Sequence, residues 1–315
     1  MAAGIQKSGM DSQDMRGLLY SIVSAFTKAI DERTPYNASH TMQVAKHVSG
    51  MLAFMRVRYE ADGRAPVFSP DEEEQIVMAA YLHDVGKLVV PLDVMNKANR
   101  LGRGGIERIH DRYLLLKACL DIEQLRGRLE EDECQRQKAL LDELEARIVE
   151  ADRKPVLSRQ EISYFEEIGK RSFCREDGMV IPWLTSAELR NLRIEKGTLN
   201  VEERRIMEYH AVATEKILKE IRFGTCYDKV TEIASAHHEF LDGSGYPEGL
   251  SGDRIPAGTR LLTIADIYDS LIATDRPYKK PMDMADAREI LLEMAREGKL
   301  DEELTVMFCE YLGTL

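Results

Sequence analysis

The chain has 315 residues, 44% apolar and 31% charged, with 43 Lys and Arg against 55 Asp and Glu, so its formal charge is −12. These figures fit a soluble globular protein of one large or two ordinary domains. The acid surplus excludes sequence-blind binding to nucleic-acid backbones or anionic lipid, which depends on Lys and Arg neutralising phosphate, but it leaves room for a small anion in a locally positive pocket.

Residues 1–9 are irregular and contain Gly and Ser ahead of Met10, which leaves room for an appended segment and an upstream membrane sensor. The longest N-terminal apolar stretch, Leu18 to Ile30, is broken by Ser21, Ser24, Thr27 and Lys28 and is too short for a bilayer span or a signal core. The chain is therefore expected to be cytoplasmic, alone or as the cytosolic part of a longer sensor. Residues 14–30 predict an amphipathic helix with Leu18, Leu19, Ile22, Val23 and Phe26 on its core face. Met42, Ala45, Val48, Leu52 and Met55 predict a second helix. Ser69-Pro70-Asp71-Glu72 opens a third, with an acceptor cap, Pro at the first position and acid in the first turn. Its inward face runs through Ile76, Ala79 and Ala80 to His83.

Residues 105–152 differ in texture. Ile106, Ile109, Tyr113, Leu116, Ile122, Leu125 and Leu129, then Leu140, Leu144 and Ile148, form a narrow stripe amid dense charge, as in a helical hairpin or short coiled coil. Pro155 ends it, Ser158 and Ser186 are candidate caps of two shorter helices, and 173–185 reads as an ordered loop around Gly178, Pro182 and Trp183. Amphipathic helices resume from Val201 to Leu315, broken by a Gly-rich turn from Leu241 to Gly252. The expected class is all-α. Five scattered cysteines without a C-x-x-C pair point to free thiols rather than disulfides or a zinc knuckle.

Five of the seven histidines fall in a pattern: His40, His83-Asp84, His210 and the pair His237-His238, joined by Asp266. Adjacent helical side chains point about 100° apart, so a His-His or His-Asp pair obliges at least one polar group to find a partner indoors. Imidazole nitrogen and carboxylate oxygen suit iron, manganese, zinc or nickel, and such ligands commonly converge inside helical bundles.

The runs YLHDVGKLVVPLDVMNK, HHEFLDGSGYPEGLSGDRIP and ADIYDSLIATDRPYKK resemble the HD-GYP family of HD phosphohydrolases, with the tripeptide Gly245-Tyr246-Pro247 intact. The resemblance implies an HD-type helical bundle with a dimetal centre and a large helical insertion. It divides the chain into an N-terminal extension and first helix over 1–30, a catalytic domain over 31–101 and 196–315, and an insertion over 102–195. It implies one metal on His40, His83, Asp84 and Asp266 and a second on Asp84, His210, His237 and His238, with Asp84 bridging. It gives Lys87 and Asp84 catalytic positions, and Lys87, Tyr246, Arg276 and Lys279 contacts to substrate. Two divalent ions follow, iron or manganese first, with zinc, nickel and magnesium as alternatives.

Where some family members carry a Glu able to hold a third metal, this chain has Tyr36, a poor ligand at neutral pH, so two metals are expected. The spacing from Asp266 to Arg276 is one residue longer than the family run. About 95 extra residues separate Asn96-Lys97 from Thr198-Leu199. They form a lid, a dimerisation arm, a partner-docking hairpin or a peripheral elaboration, and the narrow stripe favours a homodimer. Asp269 is expected to orient a ligand histidine. His47 is expected in the core or beside the ligands, and His110 in solvent. The resemblance implies hydrolysis of cyclic di-GMP to linear pGpG, and on to GMP, by metal-bound hydroxide. The alternatives are another cyclic dinucleotide such as cyclic GMP-AMP, or a cyclic-dinucleotide-binding scaffold with little turnover. Neither polymeric nucleic acid nor a membrane is expected as a partner.

Overall fold

The computed structural model describes residues 12–33, 39–273 and 282–315. Within them the helices run in chain order as α1 (Ser12–Asp31), α2 (His40–Ala61), α3 (Pro70–Leu82), α4 (Leu92–Met95), α5 (Gly105–Leu125), α6 (Glu131–Arg153) and α7 (Arg159–Ile168). They continue as α8 (Ser186–Leu192), α9 (Val201–Lys219), α10 (Val230–Ser235), α11 (Ala257–Ile272), α12 (Met284–Arg296) and α13 (Glu302–Leu312). The class is all-α, and among the described residues no helix is long and apolar enough to cross a membrane. Contacts divide the chain into two compact units, one of Met1–Val90 with Met207–Leu315 and one of Pro91–Ile206.

In the first unit α3 is central, packing against α1, α2, α10 and α11. Its start is a full capping box: the Ser69 hydroxyl accepts from the Glu72 N–H while the Glu72 carboxylate accepts from the Ser69 N–H. Ile76, Met78, Ala79 and Ala80 are fully buried against Val44, Val48 and Met51 of α2 and Leu261, Leu262 and Ile264 of α11, in one continuous core. The small alanines let neighbouring helices approach, and that approach carries the residues after α3 indoors.

The core face expected for α1 is only partly the observed one. Val23 and Ile30 are buried, whereas Leu18, Ile22 and Phe26 are exposed. Apolar residues occupy two sides of this helix, and Thr27 selects between them. Its buried hydroxyl donates to the Tyr81 carbonyl at 2.8 Å, while Tyr20 meets Tyr81 edge to face. Met42 of α2 is likewise exposed, while Ala45, Val48, Leu52 and Met55 are buried.

The second unit contains the hairpin read from residues 105–152. His110 faces Glu145, Lys117 faces Asp142 and Asp121 faces Lys138, so α5 and α6 run antiparallel. Ile109, Tyr113, Leu116, Leu144 and Ile148 are buried, but Ile122 and Leu125 are not. Cys119 and Leu120 take the inward positions instead. Phe165, Ile168, Trp183, Leu184 and Leu192 cover the stripe from the same unit. Ser158 caps α7 in a capping box with Glu161, but the cap of α8 is Thr185 rather than Ser186. The segment read as a loop contains a small antiparallel pair, Ser172–Cys174 with Val180–Pro182, reversed through Gly178 at φ +81°.

The unit boundaries lie eleven residues outside 102–195 on each side, because residues 91–101 and 196–206 are tied to the insertion. Arg100, 1% exposed, donates to the carbonyls of Ile194 at 3.0 Å and Ala151 at 2.8 Å, and Lys97 pairs with Glu203 at 2.6 Å.

These burials fix an expectation. Leu144→Ala, which empties a fully buried position, should cost about 2–5 kcal/mol, whereas Leu125→Ala should stay within about 0.5 kcal/mol. Urea titration of both full-length variants followed by circular dichroism checks this, and equal losses would contradict the packing described.

Candidate metal centre

The turn after α3 carries the first histidine-carboxylate pair. His83 caps α3, Asp84 precedes a short 3-10 turn over Val85–Val89, and Lys87 lies inside that turn. Gly86 is required by proximity, since a Cβ there would lie 1.9 Å from the His210 carbonyl oxygen and 2.6 Å from the Thr214 nitrogen. Thr214, fully buried on α9, donates its hydroxyl hydrogen to the His83 carbonyl at 2.9 Å and accepts the Gly86 N–H at 3.0 Å. One hydroxyl thus pins the helix of His210 to the turn of His83 and Asp84. On α11, the buried Thr263 hydroxyl lies 2.8 Å from the His237 carbonyl and 3.0 Å from the Thr259 carbonyl, the two acceptors it can serve.

Three rings are oriented alike. Nδ1 of His83 donates to the Ala80 carbonyl at 2.7 Å, Nδ1 of His210 to Met207 at 2.6 Å, and Nδ1 of His237 to Ala234 at 2.6 Å. A carbonyl only accepts, so each neutral ring is protonated at Nδ1 and presents its lone pair at Nε2. All three Nε2 atoms are buried without a hydrogen-bond partner. His40 differs, with Nδ1 2.6 Å from Asp269 Oδ2 and Nε2 3.0 Å from Asp266 Oδ1.

The donor atoms form two clusters, His40 with His83 and Asp84, and His210 with His237 and His238, each with its atoms within 4.8 Å of one another. Asp84 stands between them: Oδ2 lies 3.3 Å from His83 Nε2, and Oδ1 lies 3.5 Å from His210 Nε2. Asp266 approaches both clusters, 3.0 Å from His40 and 3.9 Å from His238 Nδ1. Orphaned imidazole lone pairs beside carboxylates are the donor set that a divalent transition metal satisfies, so these residues fit such an ion.

Charge divides the histidines. Burial pushes His40 down, but its hydrogen bonds to Asp266 and Asp269 outweigh that and raise it to about 10. His83 is also raised: burial opposes this, and the Asp84 carboxylate prevails. Burial lowers His210, takes His237 well below its ordinary value, and brings His238 down to about 3, so this cluster is neutral at pH 7. Burial alone would raise Asp84, yet Lys87, His83 and His210 hold it well below the carboxylate range. Lys87 Nζ lies 2.6 Å from Asp84 Oδ2.

All seven residues named as ligands, with Lys87 and Asp269, therefore stand together. Tyr246 joins them, its ring centroid 4.7 Å from that of His238 and 6.3 Å from that of His210. Arg276, Lys279 and Tyr36 lie outside the described residues. His47 is buried edge-on to Tyr268 at 5.1 Å, and His110 is exposed and bonded to Glu145 at 2.7 Å. Sequence reasoning passed over Thr214, Thr263 and Glu239. The available signal was position, four residues after His210, three before Asp266 and directly after His238.

The HD domain family matches residues 186–304, which include His210, His237, His238, Tyr246 and Asp266 but not His40, His83 or Asp84. A probable cyclic di-GMP phosphodiesterase of Vibrio cholerae is 41% identical over 108 residues, covering 33% of this chain and 24% of that protein. The 3'3'-cGAMP-specific phosphodiesterase 3 of the same organism is 42% identical over 97 residues, covering 31% and 20%. A cyclic di-GMP phosphodiesterase of Thermotoga maritima is 38% identical over 98 residues, covering 31% and 26%. The chain thus spans about a quarter of the length of these curated relatives. A solved cyclic GMP-AMP specific phosphodiesterase of Vibrio cholerae aligns over 94% of this chain and 49% of that one, at 12% identity and a TM-score of 0.45.

Two outcomes follow from the geometry. Thr214→Val leaves the Gly86 N–H and the His83 carbonyl without their side-chain partner and should cost about 2 kcal/mol or more, read as a lowered Tm. In metal-free protein, the His40 pairing contributes stability fully below the ring's ordinary pKa of 6.5 and loses it as pH rises through about 10. The metal-free chain should accordingly lose a few kcal/mol between about pH 7 and 10, with a shallower loss in His40→Gln. Identical pH profiles for the two proteins would refute that coupling.

Proposed function

We propose that this chain is an HD-GYP member of the HD phosphohydrolases, a metal-dependent phosphodiesterase that opens a cyclic dinucleotide, with cyclic di-GMP as the leading substrate, linear pGpG as the first product and GMP as the second. The observation that carries this reading is a set of three buried, unpartnered Nε2 atoms, two of which, on His83 and His210, flank one carboxylate, Asp84. His40, His83, Asp84 and Asp266 would hold one divalent ion, and Asp84, His210, His237 and His238 the other, with iron or manganese as the pair. When bound, such ions supply Lewis acidity, activating water and offsetting charge on the phosphoryl oxygens.

The chain's own residues do the rest. Burial keeps His210, His237 and His238 neutral, so their lone pairs are available without first losing a proton. His40, raised to about 10, must lose a proton to ligate, so metal loading at pH 7 releases one there. Lys87, whose ammonium lies 2.6 Å from Asp84, brings positive charge to the scissile phosphate. Tyr246, against His238, offers an aromatic edge for the substrate, and Arg276 and Lys279 are assigned to the remaining phosphate and base. Cyclic GMP-AMP is the second substrate reading, supported by the relative named as specific for it.

The insertion is proposed to join two copies of the chain. Most of the stripe expected to do so packs within its own unit, which leaves its members Ile122 and Leu125, with Leu114 and Leu115, exposed on α5 to meet the second copy. Wild-type protein should have the solution mass of a dimer and Ile122→Glu that of a monomer. A monomeric wild type rules out this part of the proposal.

Protein reconstituted anaerobically with manganese or ferrous iron and incubated with a panel of cyclic dinucleotides should yield linear products. His83→Ala and Asp84→Ala should abolish turnover, and Lys87→Ala should lower kcat about 10²–10³-fold while metal content is kept. Equal turnover by metal-free protein would defeat the reading.

A further inference from the structure

We propose that Glu239 is a positioning residue for this reaction, its buried carboxylate fastening the loop that presents Tyr246 to the metal-binding histidines. The inference rests on the phosphodiesterase reading above and adds to it a residue that touches neither metal nor substrate.

Glu239 follows His237 and His238 directly, and it is 2% exposed. Its Oε1 accepts the Glu248 N–H at 2.7 Å and its Oε2 accepts the Leu250 N–H at 2.9 Å. Among the described residues no Lys, Arg or His forms an ion pair with it. Burying a carboxylate costs several kcal/mol unless strong donors replace water, and two charge-assisted bonds to backbone N–H groups are such donors. Packing alone would be served more cheaply by an apolar side chain. Holding two donors two residues apart requires two acceptor oxygens, which Glu supplies and Gln does not, because one end of the amide carries hydrogens of its own.

What those bonds hold is the loop between Leu241 and Gly252. The Gly252 N–H closes it on the Leu241 carbonyl at 3.0 Å, and the Tyr246 N–H donates to the His238 carbonyl at 3.1 Å. Pro247 has no N–H, so the next two anchors after Tyr246 are the bonds of Glu248 and Leu250 to Glu239. Gly245 is pressed onto the same segment: a Cβ there would lie 2.4 Å from Phe240 N and 2.5 Å from the His238 carbonyl oxygen. The backbone on one side of Tyr246 is therefore fixed by contact and on the other by the Glu239 carboxylate. Together they set the 4.7 Å separation between the Tyr246 and His238 rings. Loss of the carboxylate frees the second anchor, so the cost falls on substrate capture at Tyr246 before it falls on the ligands.

The test is a double-mutant cycle on the metal-loaded full chain with Glu239→Gln, Tyr246→Ala and the double variant. Glu239→Gln should keep wild-type metal content and raise KM about 10- to 100-fold with a smaller change in kcat. The double variant should be no worse than Tyr246→Ala alone, since a residue acting through Tyr246 has nothing left to position. Glu239→Asp, which keeps the charge on an arm too short for both donors, should fall between wild type and Glu239→Gln and serves if the amide variant does not fold. Unchanged KM, additive losses, or activity falling only in step with metal content or Tm would overturn the inference and leave the phosphodiesterase reading standing. A wild-type chain that hydrolyses no cyclic dinucleotide would overturn both.

Discussion

His83, His210 and His237 each bury an Nε2 lone pair that no protein donor reaches. Leaving such a group unsatisfied costs about 1–3 kcal/mol, and three together are a large fraction of the net stability of an ordinary domain. The fold accepts this cost because each ring is locked from its other side, Nδ1 to a carbonyl three residues back, so it cannot rotate to find a partner. The lock is local and encoded by helix geometry. Bringing the three locked rings together is long-range work, done for His83 and His210 by the Thr214 hydroxyl and a Gly86 with no side chain to obstruct it, and for His237 by the Thr263 hydroxyl at its carbonyl.

Electrostatics then separates two halves built from the same residue type. His40 faces Asp266 and Asp269, so in the metal-free protein it holds its proton, and Asp84 shifts His83 in the same direction against its burial. His210, His237 and His238 crowd one another, and burial reinforces their neutrality. In the proposed metal centre a cation entering the first half would displace a proton from His40, while one entering the second half would not. On that proposal the halves would differ in pH dependence of loading even though both are built of imidazole beside Asp84. The formal charge of −12 says nothing of this, because it sums a solvated surface and a centre where carboxylates and cations are already balanced.

Much of this was legible from the sequence, and the misses have a common cause. The capping box at Ser69, the antiparallel hairpin and the inward direction of His83 are encoded within a few residues and could be read there. The clustering of the histidines with Asp84 and Asp266 was legible because uncommon residue types recur in order. Contacts between distant positions were not legible. Thr27 turns α1 by reaching a carbonyl 54 positions away, Thr214 reaches one 131 positions away, and Thr263 one 26 positions away. A threonine in a helical pattern reads as a mild interruption, and nothing in its neighbours reveals the carbonyl it meets. The same limit misplaced the inward face of α1, where apolar residues on two sides leave the choice to a single hydroxyl.

The Gly-rich segment after His238 is an instructive intermediate case. Its glycines announce a turn, and Gly243 does take φ +79°. Gly245 is needed instead for closeness to the backbone of the histidine pair. The acid that completes the arrangement stands between the histidines and the glycines in sequence, where a run of charge would ordinarily be assigned to solvent. Its burial at 2% decides otherwise, since a carboxylate survives indoors only where donors converge on it, and here they come from the loop it precedes. Histidine pair, carboxylate anchor and anchored aromatic thus occupy ten consecutive residues, His237 to Tyr246. Displacement of the His238 carbonyl is transmitted to Tyr246 through a hydrogen bond rather than across open space.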